Sequence, residues 1–474
     1  MRKRKSLDLT VGLDFGTSAT KVCVREALGL DLDIDVYPVR LEGQYLCPSL
    51  VALKSGSFFF GHQAKSLVDS GAAVGFSHLK VCIACQSERG HPLADCSADR
   101  DPSNQCGGQF PIVDATAEEL AICFLAWVMG SVPGHLPDAL DVKKPELTFN
   151  LGVPAAQLDP ENSLARVYQR IGQSALAISN VIGQGVSSAV AIGAARQALR
   201  GPLLESKDSL VQLCPESEAA MISYLVSPAT KEGPYGIVDI GAWTSDFAIF
   251  RLMELTAPEH AGDRCNEYYA AASERIALNT VDSIALASIS GDQTQNNPAP
   301  NVPSLGAIRE FRESGLPTSM GTELWRTAID SARRAVSLDL YERLRVVLRS
   351  AGDKAGSLHH FMKVQRVEPG NTPTYKPTKD EPLLKIYIVG GGAMEPELWK
   401  SFSSPSVVCS VDVVPALELS QGLSGPLESR FAVALGLAYP RMLWPWSFSS
   451  SSTPPFPRPR SRTRPEYDEL GFGK

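Results

Sequence analysis

The sequence contains the same short pattern twice, once near its start and once near its middle. Residues 11–18 (VGLDFGTS) and 237–244 (IVDIGAWT) each combine an apolar strand, an aspartate, an apolar residue, a glycine and a stretch of mainly small or hydroxyl-bearing residues. A second apolar strand follows each copy. The two aspartates, Asp14 and Asp239, lie 225 residues apart. A repeat at this spacing predicts two related lobes, one in each half of the chain.

Strand-like and helix-like segments alternate around the two copies, which is typical of an α/β fold. We predict strands at residues 147–153 and 383–389, and helices at 117–129 and 322–348. The net charge of −7 excludes a nucleic-acid binder that works by neutralising phosphates. No apolar run approaches the ~20 residues that cross a bilayer, and no signal-peptide core follows the basic start. We therefore expect a cytoplasmic protein that binds neither nucleic acid nor membrane.

Composition divides the chain into two lobes with short extensions. The segment after residue 446 is rich in Ser, Pro and Arg and lacks apolar periodicity, which predicts disorder. The predicted organisation is a basic tail at 1–7, a first lobe at 8–232 with a polar, cysteine-containing insertion at 82–109, a second lobe at 233–446 and a disordered tail at 447–474.

The first copy of the repeat has the features of a phosphate-binding turn. Gly16 lets the backbone approach a phosphate closely, and successive N–H groups in such a turn form an anion site. The hydroxyls of Thr17 and Ser18 add donors. Asp14, at the strand end, suits magnesium held through water, because that ion keeps most of its hydration shell. A plain hairpin with an aspartate in its turn is the alternative.

The second copy follows the same logic. Asp239 is the candidate magnesium residue, and the candidate turn contacts are Gly241, Ala242, Trp243 and Thr244. Two such turns can close on one phosphate chain from opposite sides. A duplicated hairpin without a ligand does not explain why both copies contain the aspartate and the glycine.

A third motif lies near the end of the second lobe. A buried strand runs into Gly390, Gly391 and Gly392, where a flat ring or a ribose could lie against bare backbone. A glycine triplet also occurs as a simple flexible turn, so the motif gains weight only from its place after the second copy of the repeat.

Together these motifs resemble those of the actin and heat-shock chaperone ATPase superfamily. Residues 14–18 resemble the first phosphate loop of DnaK-type chaperones, residues 239–244 the second, and residues 389–393 the adenosine loop, in the same order. The resemblance covers about residues 8–446 and implies a two-lobed actin-like ATPase fold of duplicated ribonuclease H-like domains. The chaperones' β-rich substrate-binding domain has no counterpart.

The resemblance also implies roles for residues outside the turns. Lys80 stands where the family carries its catalytic lysine. Glu216 matches a glutamate that helps to place the metal and the attacking water, with Glu218 as the alternative register. Asp14 and Asp239 complete the implied catalytic set.

A helical segment at residues 326–334 resembles the family's adenosine-binding helix. Asp330, Arg333 and Arg334 lie at i, i+3 and i+4, on one face of that helix. An acid can hold ribose hydroxyls while a guanidinium stacks on adenine. The alternative is an exposed ion pair, which contributes about 0.3–0.5 kcal/mol.

The implied function is a slow ATP hydrolase that binds ATP or ADP with Mg²⁺ and acts as a nucleotide-driven switch, chaperone-like or regulatory, on an unidentified protein partner. Ala242 and Trp243 replace family glycines and Met394 replaces an arginine, so the indole is expected to gate or crowd the phosphates. An actin-like filament protein, a small-molecule kinase of the superfamily and a non-hydrolysing scaffold remain alternatives, and the oligomeric state stays open.

The insertion contains a separate candidate metal site. Its four cysteines are Cys82, Cys85, Cys96 and Cys106. Structural zinc favours four such ligands in two close pairs, but only the first two cysteines here are close in sequence. Ordinary loop cysteines are the alternative.

Overall fold

The structure is a computed structural model. It describes residues 8–27, 35–87, 109–110, 112–140, 145–154, 163–204, 209–225, 230–254, 264–296, 305–314, 322–354, 384–403, 410–413, 426–440, 444 and 446–449. Within these residues the chain has an α/β fold of several β-sheets flanked by helices, as the sequence predicted.

The first large sheet belongs to the N-terminal half. Its strands are β1 (Asp8–Phe15), β2 (Ala19–Glu26), β3 (Tyr37–Pro38), β4 (Cys47–Pro48), β10 (Glu146–Val153) and β12 (Val211–Pro215). They run in the order β12-β10-β1-β2-β3, and β4 also pairs with β2. Strand β1 is antiparallel to β2 and parallel to β10, which is parallel to β12.

The second large sheet belongs to the C-terminal half. Its strands are β13 (Gly233–Ile240), β14 (Ser245–Glu254), β15 (Arg264–Glu274), β16 (Lys385–Val389), β17 (Ser410–Val413) and β18 (Trp446–Ser449). They run in the order β17-β16-β13-β14-β15-β18. Strand β13 is antiparallel to β14 and parallel to β16. The first five strands of the two sheets therefore have the same connectivity, and neighbouring strands have the same parallel or antiparallel directions in both.

Two smaller sheets lie in the N-terminal half. One has the order β11-β6-β5-β7, and the other pairs β8 with β9. Their strands are β5 (Val51–Lys54), β6 (Ser57–Phe60), β7 (Val74–Phe76), β8 (Gln109–Phe110), β9 (Ala115–Thr116) and β11 (Val186–Ser187).

Helices flank both large sheets. Those of the N-terminal half are α1 (Gly61–Asp69), α2 (Leu79–Ser87), α3 (Ala117–Ser131), α4 (Ser163–Ile178), α5 (Ser188–Leu199), α6 (Glu216–Ala219) and α7 (Ile222–Leu225). Those of the C-terminal half are α8 (Leu278–Asn296), α9 (Leu305–Ser314), α10 (Thr322–Lys354), α11 (Pro396–Trp399) and α12 (Pro426–Leu437). Short 3-10 turns cover Val132–His135, Asp138–Leu140, Gly391–Met394 and Lys400–Ser403.

Helix α3 is the most apolar helix of the N-terminal core. Thr116 and Glu119 cap its start reciprocally: the Glu119 N–H donates to the Thr116 hydroxyl, and the Thr116 N–H donates to the Glu119 carboxylate. The stretch Ala117–His135 is long and apolar enough to cross a membrane, which the sequence analysis did not anticipate. Because 72% of its apolar window is buried inside the molecule, packing against the core accounts for its composition.

Helix α12 joins the two halves by close backbone contacts. A Cβ atom on Gly12 of β1 would lie 2.3 Å from the Ala434 carbonyl oxygen, and one on Gly436 would lie 1.6 Å from the Ala219 carbonyl oxygen of α6. The Asn150 side chain of β10 donates to the Leu437 carbonyl at 2.7 Å. A third apolar cluster, distinct from those of the two sheets, surrounds these contacts with residues from both halves.

Several boundaries differ from the sequence prediction. Strand β18 reaches Ser449, so residues 447–449, predicted as disordered tail, extend the second large sheet. Helix α10 continues six residues beyond its predicted end, to Lys354. Cys82 and Cys85 lie on α2, although the predicted polar insertion begins at residue 82. Apolar residues after Lys80 extend this helix into what composition alone marked as polar insertion.

Candidate functional site

The turn between β1 and β2 is held tightly by hydrogen bonds. The Gly16 N–H donates to the Asp14 carbonyl at 3.0 Å, and a Cβ atom on Gly16 would lie 2.3 Å from the Ala19 carbonyl oxygen. Ser49, which follows β4, donates its hydroxyl to the Gly16 carbonyl at 2.6 Å and its N–H to the Ser18 carbonyl at 3.1 Å. The turn is therefore fixed from outside its own hairpin, as a preorganised anion site requires.

The turn between β13 and β14 is held in a similar way. The Gly241 N–H donates to the Thr244 carbonyl at 2.9 Å. The first residues of α8 complete the frame, because the Leu278 N–H donates to the Gly241 carbonyl at 3.3 Å and the Asn279 N–H to the Ala242 carbonyl at 2.8 Å. Each turn is thus anchored by an element from its own half of the chain.

Both turns line one cavity of about 1090 Å³. The N-terminal half contributes these predicted site residues to its wall: Asp14, Gly16, Thr17, Ser18, Lys80 and Glu216. The C-terminal half contributes Asp239, Gly241, Ala242, Thr244, Gly390 and Gly391. The cavity is large enough for a nucleotide, since ligand pockets are typically about 300–1000 Å³.

Lys80 and Glu216 form a buried ion pair in the cavity wall. Their Nζ and Oε1 atoms lie 2.5 Å apart. Burial, the largest single effect, lowers the pKa of Lys80, but the charge and hydrogen bond of Glu216 together with the charges of Tyr168 and Asp14 outweigh it and leave the pKa above its ordinary value. Burial raises the pKa of Glu216 to about 7 in spite of the neighbouring ammonium group. Glu218, the alternative register, is fully buried and outside the described lining.

Asp14 has a partner that the sequence analysis missed. The Lys21 ammonium lies 2.6 Å from Asp14 Oδ2 and also lines the cavity. Lys21 stands directly opposite Asp14 in the hairpin register. Strand alternation counted back from the glycine turn could have identified it.

The equivalent position in the second hairpin carries an acid instead of a lysine. Asp246 stands opposite Asp239 in the register, lines the cavity and was also missed. Burial, followed by the charges of Asp246, Glu216 and Asp14, raises the pKa of Asp239 to about 8. Burial also raises the pKa of Asp246. Since Asp246 is seven residues after Asp239, as Lys21 is after Asp14, a longer alignment of the repeat would have found both.

The carboxylates suit a cation held through water. Among the described residues no group of three or more His, Cys, Asp or Glu is arranged to hold a metal ion directly. Asp14, Asp239 and Asp246 nevertheless line the same cavity, and Asp246 Oδ1 is buried without a hydrogen-bond partner in the described part of the chain. An unpartnered acceptor oxygen of this kind fits a hydrated magnesium ion, which keeps several of its waters.

The predicted zinc ligands lie largely beyond what the structure describes. Cys96 and Cys106 fall outside the described residues, and so does the side chain of Cys85. Cys82 is buried in the N-terminal core. The zinc site stays a prediction.

Trp243 does not line the cavity in the described structure. Its indole packs against the imidazole of His78, with ring centroids 4.4 Å apart and planes at 62°. His78 is itself part of the cavity wall. The indole of the second turn thus contacts a side chain from the other half of the chain beside the cavity, and does not fill the cavity.

The glycine triplet packs against the end of β13. Gly390 has a φ of +80°, and a Cβ atom there would lie 2.1 Å from Asp239 Oδ1. A Cβ atom on Gly392 would lie 2.3 Å from Ile240 Cγ2, and Gly392 is outside the described lining. Gly390 and Gly391 therefore form cavity wall, whereas Gly392 is required for packing.

The wall beside the triplet comes from α8 and α9. Its polar members, all missed by the sequence analysis, are Asn279, Asp282, Arg309, Arg312 and Glu313. Arg309, Arg312 and Glu313 lie at i, i+3 and i+4, the same spacing of one acid and two arginines that drew attention to α10. The pattern occurs on both helices, and sequence alone could not decide which one faces the cavity.

The three residues predicted on α10 lie elsewhere. Asp330, Arg333 and Arg334 are not part of the described cavity lining. Arg334 is exposed, whereas Arg333 donates to Asp330 at 3.1 Å and to Glu395 at 2.8 Å. They share a helix, as predicted, but the structure does not bring them to the two turns.

Comparison with models of known protein families gives no match, and comparison with curated proteins gives none either. The resemblance to the actin and heat-shock chaperone ATPase superfamily therefore rests on the motifs of the sequence and stays a prediction.

Proposed function

We propose that this chain has the two-lobed actin-like ATPase fold and binds magnesium–ATP between its halves. The shared path of the first five strands in the two large sheets supports a duplication of ribonuclease H-like domains. The close contacts of α12 with β1 and α6 support a crossing of the two halves behind the cavity. Such a crossing is compatible with hinge motion between two lobes.

One observation carries the proposal: two Asp–Gly turns, from different sheets and different halves of the chain, line the same cavity. Backbone N–H groups and the hydroxyls of Thr17, Ser18 and Thr244 are suited to phosphate oxygens. Lys21 and Lys80 bring two ammonium groups to the cavity wall, where they pair with Asp14 and Glu216. Two hairpins that bind no common ligand would have no physical reason to line the same cavity.

The side chains support a hydrolytic role. Lys80 would stabilise negative charge on the transferring phosphoryl group, while its partner Glu216 and the nearby Asp246 would orient the attacking water. A carboxyl pKa of about 7 lets Glu216 accept a proton near neutral pH. Asp14, Asp239 and Asp246 would hold magnesium through water, and that ion would neutralise charge on the phosphate oxygens.

The contact between Trp243 and His78 bears on the rate of hydrolysis. Because the indole packs against His78 and does not line the cavity, it leaves the phosphate turns accessible. This removes the reason to expect that the indole blocks hydrolysis, and we favour a hydrolase that switches conformation with nucleotide, regulatory or chaperone-like, acting in the cytoplasm on a protein partner. A scaffold that binds nucleotide without hydrolysis is the second candidate, since this contact also ties the two halves together.

The test uses the full-length protein. Calorimetry with ATP and Mg²⁺ measures binding, and a phosphate-release assay measures turnover. Asp14→Asn removes a cavity carboxylate and its pair with Lys21, and is expected to lower turnover by about 100-fold without unfolding the protein. Asp339→Asn, on the exposed face of α10, is the control. Unchanged turnover in Asp14→Asn, or a wild type that binds no nucleotide, would refute the proposal.

Added substrates and a pelleting assay distinguish a hydrolase from a kinase, a filament protein and a scaffold. Turnover that requires a sugar or an organic acid indicates a kinase. Pelleting that depends on ATP indicates a filament protein. A protein that binds ATP tightly but releases no phosphate is the scaffold.

A further inference from the structure

A chain of ion pairs connects the glycine-triplet turn to two helices of the C-terminal half. At its centre is Glu395, which directly follows the 3-10 turn at Gly391–Met394. One of its oxygens pairs with Arg312 of α9, and the other accepts from Arg333 of α10 at 2.8 Å. Its N–H donates to the Gly392 carbonyl at 2.9 Å. One carboxylate therefore fixes the positions of two helices relative to the triplet.

The same chain of ion pairs reaches the cavity wall. Arg312, only 3% exposed, donates to the fully buried Asp282 at 2.6 Å. Arg309, one turn earlier on α9, lies 3.4 Å from Asp282 and donates to Asn279 at 3.1 Å. These four residues line the cavity, whereas Glu395 and Arg333 stand behind them. Glu395 is thus one layer removed from any ligand in the cavity.

The charged side chains of this wall balance each other. Arg309 and Arg312 face the carboxylates of Asp282 and of Glu313, which lies 3.5 Å from Arg312. Behind the wall, Arg333 pairs with Asp330 and Glu395. A neutral, hydrogen-bonded wall suits an uncharged planar group better than a phosphate. The lysines and the first Asp–Gly turn, which suit phosphates, belong to the other half of the chain, and the second turn meets this wall at the start of α8. The side chains of α8 and α9 beyond that point are left for the nucleoside.

Loss of one member would disturb the others. Removing one partner of a buried pair leaves the other charge uncompensated, and the side chain then shifts in search of a new partner. Arg312 has little freedom to turn toward solvent, so it would turn toward the cavity or pull on Asp282. Either movement changes the wall that the nucleoside would contact.

We propose that Glu395 is a positioning residue for the nucleoside end of the cavity, acting through Arg312, with Arg333 as its second support. The inference rests on the proposed binding of nucleotide. It also gives the predicted adenosine-binding residue Arg333 a different role, because Arg333 would act through Glu395 without touching the base.

The test compares two ligands that differ in the nucleoside. Binding of magnesium–ATP and of magnesium–tripolyphosphate to the full-length protein is measured by calorimetry. Glu395→Gln is expected to weaken ATP binding by about tenfold, or about 1.4 kcal/mol, since a coupled side chain behind a site changes binding without touching the ligand. Tripolyphosphate binding is expected to stay unchanged. Glu397→Gln, two residues further on and 58% exposed, is the matched control.

Arg333→Gln is the second variant and is expected to weaken ATP binding in the same selective way. Urea unfolding and near-ultraviolet circular dichroism show whether each variant folds. If Glu395→Gln does not fold, Arg333→Gln tests the positioning role in its place. ATP binding that stays unchanged in a folded variant, or equal weakening of both ligands, overturns the role of Glu395. A wild type that binds neither ligand instead overturns the proposed function, and this inference with it.

Discussion

The raised pKa of Asp239 predicts that the ligand-free protein loses stability as the pH rises toward about 8. The carboxyl has a pKa of about 8 in the folded chain, against an ordinary value of 3.8. A carboxyl whose pKa is raised by folding stabilises the protein fully at pH values below its unfolded pKa. That contribution is lost as the pH rises through the folded pKa. The window for the loss therefore ends near pH 8.

The size of the effect follows from proton linkage. Between pH 6.5 and 8.0 the unfolded chain keeps this carboxyl ionised while the folded chain releases its proton, which lowers the free energy of unfolding by about 1.6 kcal/mol. For a lobe of about 200 residues this corresponds to a fall in Tm of about 3–6 °C. Glu216, with a pKa of about 7, adds to the fall in the same direction.

The assay is thermal and urea unfolding at pH 6.5 and pH 8.0, without nucleotide and with a chelator present. Asp239→Asn cannot ionise at this position, so its stability should fall less than that of the wild type over the same interval. Titrating groups far from Asp239 are common to both proteins and cancel in the comparison, whereas Glu216 loses the repulsion of Asp239 in the variant, which also reduces the fall in stability over this interval. Asp339→Asn, exposed on α10, should behave as the wild type does. Equal slopes in the wild type and Asp239→Asn would refute the reasoning.

Two further substitutions test the geometry of the cavity. Gly390→Ala places a Cβ atom 2.1 Å from Asp239 Oδ1 at a φ of +80°, whereas Gly43→Ala has nearly the same φ and open space. Urea unfolding should show a loss of about 1 kcal/mol for Gly43→Ala and a clearly larger loss for Gly390→Ala, and equal losses would contradict the contact. Lys80→Met leaves Glu216 buried without its cation and should lower the free energy of unfolding by about 3 kcal/mol. Adding Glu216→Met should restore most of that loss, and no recovery would mean that the pair is not coupled.

Sequence predicted the elements around the two turns well. An apolar strand, a glycine turn and a second apolar strand define a hairpin from local pattern alone, and both hairpins, β1–β2 and β13–β14, are present. Their convergence on one cavity followed from the repeat. The end of the second large sheet was predicted less well, because β18 is a short edge strand held by its pairing with β15, a long-range contact that leaves little local pattern.

Residues beyond the turns were harder to assign for a different reason. Acids and arginines at helical spacing occur on both α9 and α10, and only tertiary packing decides which of the two lines the cavity. Glu395 could not be singled out from the sequence, because an acid after a glycine turn is common. Its importance arises only when α9 and α10 each bring an arginine to it.

The charge difference between the two hairpins has a consequence for the ligand. In the first hairpin Asp14 faces Lys21, so the pair is neutral. In the second hairpin Asp239 faces Asp246, and burial raises both pKa values, with the charge of Asp246 adding to the rise at Asp239. Two buried acids opposite each other are stable only when they are protonated or share a cation. The second hairpin therefore favours the binding of a positive ion. A triphosphate should bind there well only with magnesium or at low pH.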